Sequence, residues 1–415
     1  NGATETQWIG DGWIPYKIEY YYNYSYFMFN YYVDIVYEYL EDGVVEIEND
    51  CTITVIAGEG ITVTGNNSPY MLGQTVELVA TISSDAIFGG WYDENMTLLS
   101  KNTTYTFVVG GSQTIYAMNS DEYDKKLESD VLLDLNEIFG LNDAEFTITN
   151  EDTGDVDTVK GEEYTFDNGG VYTIVAKDTD GTNKLYTVMV TGNVERTYTW
   201  TYDNKDYTYT MEIDYEDLLY SRSIYTVSQR CQQSGHDRDK TFVTYSFTDD
   251  RMSPYTETLT SGLIDLYKEN HSSVTEIGWL GFVLSFTQYI EYQTDEEYMG
   301  TEEYWKFPLE TLYDQGGDCE DTSILFASIA LKSKAELGFS YNVALQLLPG
   351  HMCGAVKLKS TTTSYTTNPS GYIYCETTAT NYVIGQIPSG MELYFATQTY
   401  YDRYPANVAT VEVTI

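Results

Sequence analysis

The sequence predicts a multidomain chain, with all-β modules in its N-terminal half followed by an α+β domain. Three observations predict it. A length of 415 residues exceeds what one hydrophobic core usually organises and suggests roughly two to four domains. Two stretches, 51–119 and 144–194, hold short apolar runs that alternate with polar residues between Gly-, Asn- and Asp-rich turns, the pattern of half-buried strands. Beyond Val194, a strand pair gives way to helical periodicity and then to strands again, which is the order of an α+β domain.

Taken in order, residues 1–50 form an aromatic, strand-rich segment with tyrosine runs such as Tyr20-Tyr21-Tyr22 and an acidic turn at Glu41-Asp42-Gly43, the outline of a hairpin. The 51–119 module carries predicted strands at 52–55, 75–80, 88–91 and 105–109. Residues 120–143 are expected to be a helical linker, because Leu127, Val131, Leu132, Leu135, Ile138 and Phe139 form an apolar stripe over 121–141. In the 144–194 module, strands at 171–176 and 185–190 flank a loop, 178–183, whose Gly181 comes too early for an EF-hand and reads as hairpin turn chemistry. The last domain, 195–415, opens on paired strands near 198–202 and 207–211. Helices are predicted near 215–223, 256–270 and 274–292, and a closing strand at 411–415.

The chemistry concentrates in Gly316-Gly317-Asp318-Cys319-Glu320-Asp321-Thr322. An apolar stripe through Ile324, Leu325, Phe326, Ile329 and Leu331, with Lys332 and Lys334 near a stop at Gly338, predicts a helix. Asp318 is its natural N-cap and Asp321 a carboxylate version of the capping-box partner, so Cys319 falls in the first turn. There the helix dipole favours the reactive thiolate, although Glu320 and Asp321 oppose it. A second group is therefore needed. Of the three histidines, His236, His271 and His351, the last follows a Pro349-Gly350 turn and opens a predicted strand. Glu376 sits in the next aromatic and β-branched strand, where a charge requires a partner. Cys319, His351 and Glu376 thus give the nucleophile, base and orienter of acyl-transfer chemistry.

The ordered combination of GDCED opening a helix, GHM on a strand and YIYCETT on the next resembles the transglutaminase-like superfamily, with its papain-like cysteine fold, and especially its archaeal cell-surface members. The segments 282–289, 303–312 and 382–388 resemble the family's flanking regions, so the likeness spans roughly residues 196 to 400. It implies Cys319 as nucleophile, His351 as general base and acid, and Glu376 as the residue orienting the histidine. The family more often has Asp at that last position. The Cys319 N–H is one expected oxyanion donor, and Gln288 is taken as the second, with Gln315 and Trp279 as competitors. Upstream, the 51–119 module resembles the B-repeats of surface proteins, and 144–194 an immunoglobulin-like spacer. These likenesses imply a cell-surface protein that cleaves or transfers an amide or peptide acyl group through a thioester, acting on a protein or peptide without a cofactor. The rival expectation is a structural subunit of a surface layer, sheath or filament, or an adhesin, in which the domain packs or binds. It is motivated by the tyrosine-rich start and the apolar final strand, which suit self-association or contacts with other surface proteins.

A net charge of −43 excludes a nucleic-acid footprint, which is positive, and disfavours anionic membranes. No apolar run is long enough to span a bilayer and no signal peptide stands at Asn1, so the expectation is an extracellular chain that meets a membrane only through an anchor outside it. Glycosylation acceptor patterns at Asn23, Asn66, Asn95, Asn102 and Asn270 agree with that location. Among the five cysteines, Cys319 stays reduced if Cys51, Cys231, Cys353 and Cys375 pair, but strand alternation sets Cys353 and Cys375 on opposite faces, so a bridge between those two needs a bulge. No Cys/His spacing suggests zinc, and no metal site is expected.

Overall fold

A computed structural model describes residues 51–415, apart from Asp85, 123–125, 161–162, Asp180, Thr182, 232–236, 361–363, 405–407 and Ile415. The 1–50 segment, Asn23 and His236 lie outside the described residues. The chain divides after Ser120 into two compact units.

The described part of the first unit is built from two sheets. In one, Ile53–Ala57 runs parallel to Gln113–Glu122, which pairs antiparallel with Phe88–Tyr92, and Leu98–Ser100 follows at the edge. The other orders Ile61–Thr64, Thr75–Ile82 and Thr104–Val108 antiparallel. Alternation decides the faces: in Thr75–Ile82, Val76, Leu78 and Ala80 turn inward and join Trp91, Ile115 and Ala117 in one core.

The second unit begins with strands where the apolar stripe over 121–141 predicted a helix. Leu127–Glu128 and Leu132–Asp134 are extended, and among the described residues of the stretch only Leu135–Phe139 is helical, capped by Asp134 and by Gly140 at φ 63°. Tertiary pairing overrides the helical period, because Leu127 lies beside Val190 and Leu132 beside Thr165. Four antiparallel strands follow, in the order Val156–Lys160, Glu145–Asn150, Gly170–Lys177, Asn183–Thr191, around Phe146, Phe166 and Ile174.

The remainder is a helical layer on a sheet. A hairpin, Asn193–Tyr202 with Lys205–Asp214, turns at Asp203 and Asn204, both left-handed. Its Trp200 packs edge-on against Phe282 and Phe286 of the helix Glu276–Gln288, with centroids 5.5 and 5.2 Å away. Beyond lies an antiparallel sheet in the order Ile373–Cys375, His351–Lys357, Asn342–Leu348, Ala409–Val413. The nineteen-residue helix Cys319–Leu337 lies on this sheet and contributes Ile324, Leu325, Phe326 and Ile329 to a core shared with Val343, Leu345 and Val356. Close approach requires Gly354: a β-carbon there would sit 2.5 Å from the Phe326 ring. Strand-rich units of several sheets, one bearing a helical layer, are thus the architecture.

Candidate active site

Cys319 is delivered by a chain of local constraints. The helix Pro308–Asp314 ends at Gln315, which takes the left-handed conformation at φ 51°. Gly316–Gly317 then pairs in parallel with Glu291–Tyr292, in the register Glu291 to Gly316 and Tyr292 to Gly317. Asp318 caps the next helix, and Asp321 folds back to accept from the Asp318 N–H at 3.4 Å and the Lys306 N–H at 2.7 Å. This return fits only over glycine, since a β-carbon on Gly317 would lie 2.7 Å from that of Asp321. Cys319 is therefore the first helical residue, where backbone N–H groups lack helical partners.

The charge around the thiol reverses the expectation drawn from the helix dipole. Burial, then the carboxylates of Glu320 and Asp318, push the Cys319 thiol well above its ordinary value, and Sγ donates to Glu320 Oε2 at 3.1 Å. The Met352 main-chain N–H pulls the other way and is outweighed. These surroundings favour the thiol over the thiolate. Glu320 is itself pushed up, by burial and by Asp318.

His351 opens its strand directly after the Pro349-Gly350 turn, with Leu348 paired to His351 and Gly350 at φ 66°. Its Nε2 lies 3.2 Å from Glu376 Oε2. Because a carboxylate only accepts, that contact assigns a proton to Nε2. Glu376 is 2 % exposed. Its Oε2 also accepts from the Tyr374 hydroxyl at 2.9 Å, and its Oε1 accepts from the Thr378 N–H and hydroxyl at 3.0 and 2.6 Å. Burial pushes this carboxyl up, but the His351 contact and the Thr378 bonds outweigh it and hold it at about 2. Glu376 stands just past the end of its strand, Ile373–Cys375, rather than within it as the sequence suggested, and its partners Tyr374 and Thr378, two residues to either side, were missed in sequence.

Cys319 and His351 line one cleft of about 380 Å³, together with Tyr292, Glu303, Asp318 and Met352. A larger groove of about 700 Å³, between Tyr202, Gln288, Tyr365 and Tyr382, does not include Cys319. The assignment of Gln288 as an oxyanion donor is corrected: its Nε2 donates to the carbonyls of Glu376 and Tyr382, at 2.8 and 2.9 Å, and so ties together the segment that follows the strand Ile373–Cys375. The competitors are engaged as well, Gln315 with the Thr197 carbonyl and Trp279, fully buried, with the Ser333 hydroxyl. Repeated glutamines and tryptophans give no sequence signal of which distant carbonyl or hydroxyl they meet.

Beside the thiol, Asp295, Asp318 and Asp321 bring carboxylate oxygens within 4.8 Å of one another, as do Asp295, Glu303 and Glu320. Oxygen donors of this kind suit a hard cation such as Ca²⁺, although such clusters are common without one. The charges are felt: burial, then Asp318, push Asp295 up to about 7.

The remaining residues singled out in sequence are placed as follows. His271 stacks on Tyr267 at 4.0 Å, away from the cleft. Asn66, Asn95 and Asn102 are exposed, whereas Asn270 is half-buried and donates to the Leu266 carbonyl. Cys51, Cys319, Cys353 and Cys375 are free thiols. Cys353 packs with Tyr374 and Phe395, and Cys375 joins the core that includes the cysteine helix, so the two occupy opposite faces.

No protein-family model matches the chain, and no curated protein does. Solved structures similar to it include Legionella pneumophila LapG, at 19 % identity over 36 % of this chain and 77 % of that one, with a TM-score of 0.22. A calcium-bound form of LapG is similar at 20 % identity over 35 % of this chain and 73 % of that one, with a TM-score of 0.21. A Parabacteroides distasonis protein titled as a proposed protease is similar at 10 % identity over 81 % of this chain and 71 % of that one, with a TM-score of 0.24.

Proposed function

We propose that this chain is an extracellular cysteine acyl-transfer enzyme with a transglutaminase-like, papain-like domain, cleaving or transferring an amide or peptide acyl group through a thioester on Cys319. One observation carries the reading: a cysteine at a helix start shares a cleft with a histidine whose Nε2 is held by a buried glutamate with a depressed carboxyl. Because the thiol is favoured over the thiolate, His351 takes its proton as the sulfur attacks the carbonyl, and Glu376 stabilises the resulting imidazolium. The imidazolium then protonates the leaving amine. Water or a second amine releases the acyl group, giving hydrolysis or transfer.

The test is acylation of the full chain by p-nitrophenyl acetate, read as intact mass, with Cys319→Ala and His351→Ala alongside. A hydroxylamine-sensitive adduct that maps to Cys319 and forms at least about 100-fold more slowly in the His351 variant supports the reading. The raised thiol favours the rival, a surface packing or binding module. Ordinary acylation, indifferent to the His351 substitution, would establish that rival instead.

A further inference from the structure

The Cys319 cleft needs a donor for the oxygen on which negative charge gathers, and the three side chains proposed from sequence are engaged elsewhere. Tyr292 differs from them in each respect. It lines the same cleft as Cys319 and His351. Its strand is hydrogen-bonded beside Gly316–Gly317, the two residues that lead into Asp318 and Cys319, and the flanking bonds from Glu291 N–H to the Gln315 carbonyl and from Gln293 N–H to the Gly317 carbonyl, each 3.1 Å, fix its register. The backbone thus holds the phenol next to the turn that presents the sulfur. It is 54 % exposed, so a substrate reaches it without displacing core.

The geometry points to Tyr292 as a catalytic residue whose hydroxyl, with the Cys319 main-chain N–H, hydrogen-bonds the oxyanion of the tetrahedral intermediate formed on Cys319. This rests on the acyl-transfer reading above. The thiol proton passes to His351 as the C–S bond forms, and the carbonyl π pair moves onto oxygen. Tyr292 keeps its proton throughout and only donates a hydrogen bond. When the oxygen pair returns, the bond to the leaving group breaks and that group takes the proton from His351. Burial, then the neighbouring Cys319, Asp318 and Glu320 groups, push the phenol up to about 12, so it remains a donor across the neutral range.

Two reagents separate this role from a merely structural one. Acylation by p-nitrophenyl acetate passes through an oxyanion, whereas alkylation by iodoacetamide displaces iodide at a saturated carbon and forms none. In Tyr292→Phe, acylation of Cys319 is expected to slow about 10-fold or more, against about 10²–10³ for losing a fully buried donor. Alkylation should change less than about twofold and keep its pH profile, since the sulfur and His351 are untouched. Equal acylation rates in wild type and variant would overturn the assignment and leave the proposed function standing. Equal slowing of both reactions would also overturn it, showing that Tyr292 acts on the thiol itself. A wild-type chain that resists acylation, with a Cys319 indifferent to His351→Ala, overturns the acyl-transfer reading and the assignment together.

Discussion

Glu376 shows how a buried carboxyl stays charged: three hydroxyl or main-chain donors and the imidazole supply what water would. With its carboxyl held at about 2, it is ionised at every pH where the fold is ordinarily studied, so it contributes no acidic limb to a rate profile above about pH 3. Removing the charge while keeping the shape isolates its role. Glu376→Gln should retain the fold but lower the acylation rate by about 10²–10⁴-fold, since the imidazolium loses its counter-charge and the ring its fixed tautomer. Far-ultraviolet circular dichroism beside the acylation rate checks this, and an unchanged rate would assign Glu376 to structure alone. Cys319 titrates in the opposite sense. A thiol raised by burial and by two carboxylates has little thiolate near neutrality, so iodoacetamide labelling should climb about tenfold per pH unit from 7 to 9. A plateau well below the ordinary thiol value of ~8.5 would instead reveal a standing thiolate–imidazolium pair.

Two elements meet at a buried ion pair. Arg230 grips Glu310 of the helix Pro308–Asp314 through two bonds of 2.9 and 3.0 Å, and also donates to the carbonyls of Ser221 and Trp305. Both side chains are inaccessible, so cutting one leaves the other charge buried without its counter-ion. Arg230→Ala should therefore cost about 3–5 kcal/mol in urea unfolding, whereas joint replacement of both residues by apolar ones should restore much of the loss. Nothing in the sequence marks that pair, because its members stand eighty residues apart. Elements with local signals were legible: the Asp318 cap, the stripe through Ile329 and the stop at Gly338 announced the cysteine helix, and Pro349-Gly350 announced the histidine strand. The stripe over 121–141 misled because both periods suit its leucines, and only strand partners such as Val190 and Thr165 decide between them. Gln288 misled for a related reason, since an amide's partners depend on a loop almost a hundred residues downstream.

Across the whole molecule, electrostatics set the conditions under which the fold persists. A net charge of −43 opposes compaction through self-repulsion, which salt screens over a length of about 30 Å at 0.01 M and about 3 Å at 1 M. The acids beside the cysteine add a local term with a definite sign. Asp295 is raised to about 7, and Asp318, Glu320 and Asp321 are raised too, so the folded chain binds protons that the unfolded chain releases. Stability from these groups is therefore greatest near the ordinary carboxylate range and falls as pH rises from about 4 towards 7. Thermal unfolding at low salt should show Tm declining over that interval, opposite to the rise that a depressed carboxyl such as Glu376 produces at still lower pH. Sodium chloride should lift Tm at pH 8 by screening the surface, while leaving most of the slope assigned to the buried acids. Asp295→Asn should flatten that slope, because it removes one titrating group and keeps an oxygen to accept from the Tyr304 N–H. If Ca²⁺ at matched ionic strength lifts Tm further in wild type but not in Asp295→Asn, the local term is neutralised by a bound ion. If both salts act alike in both chains, proton binding alone balances the buried charge.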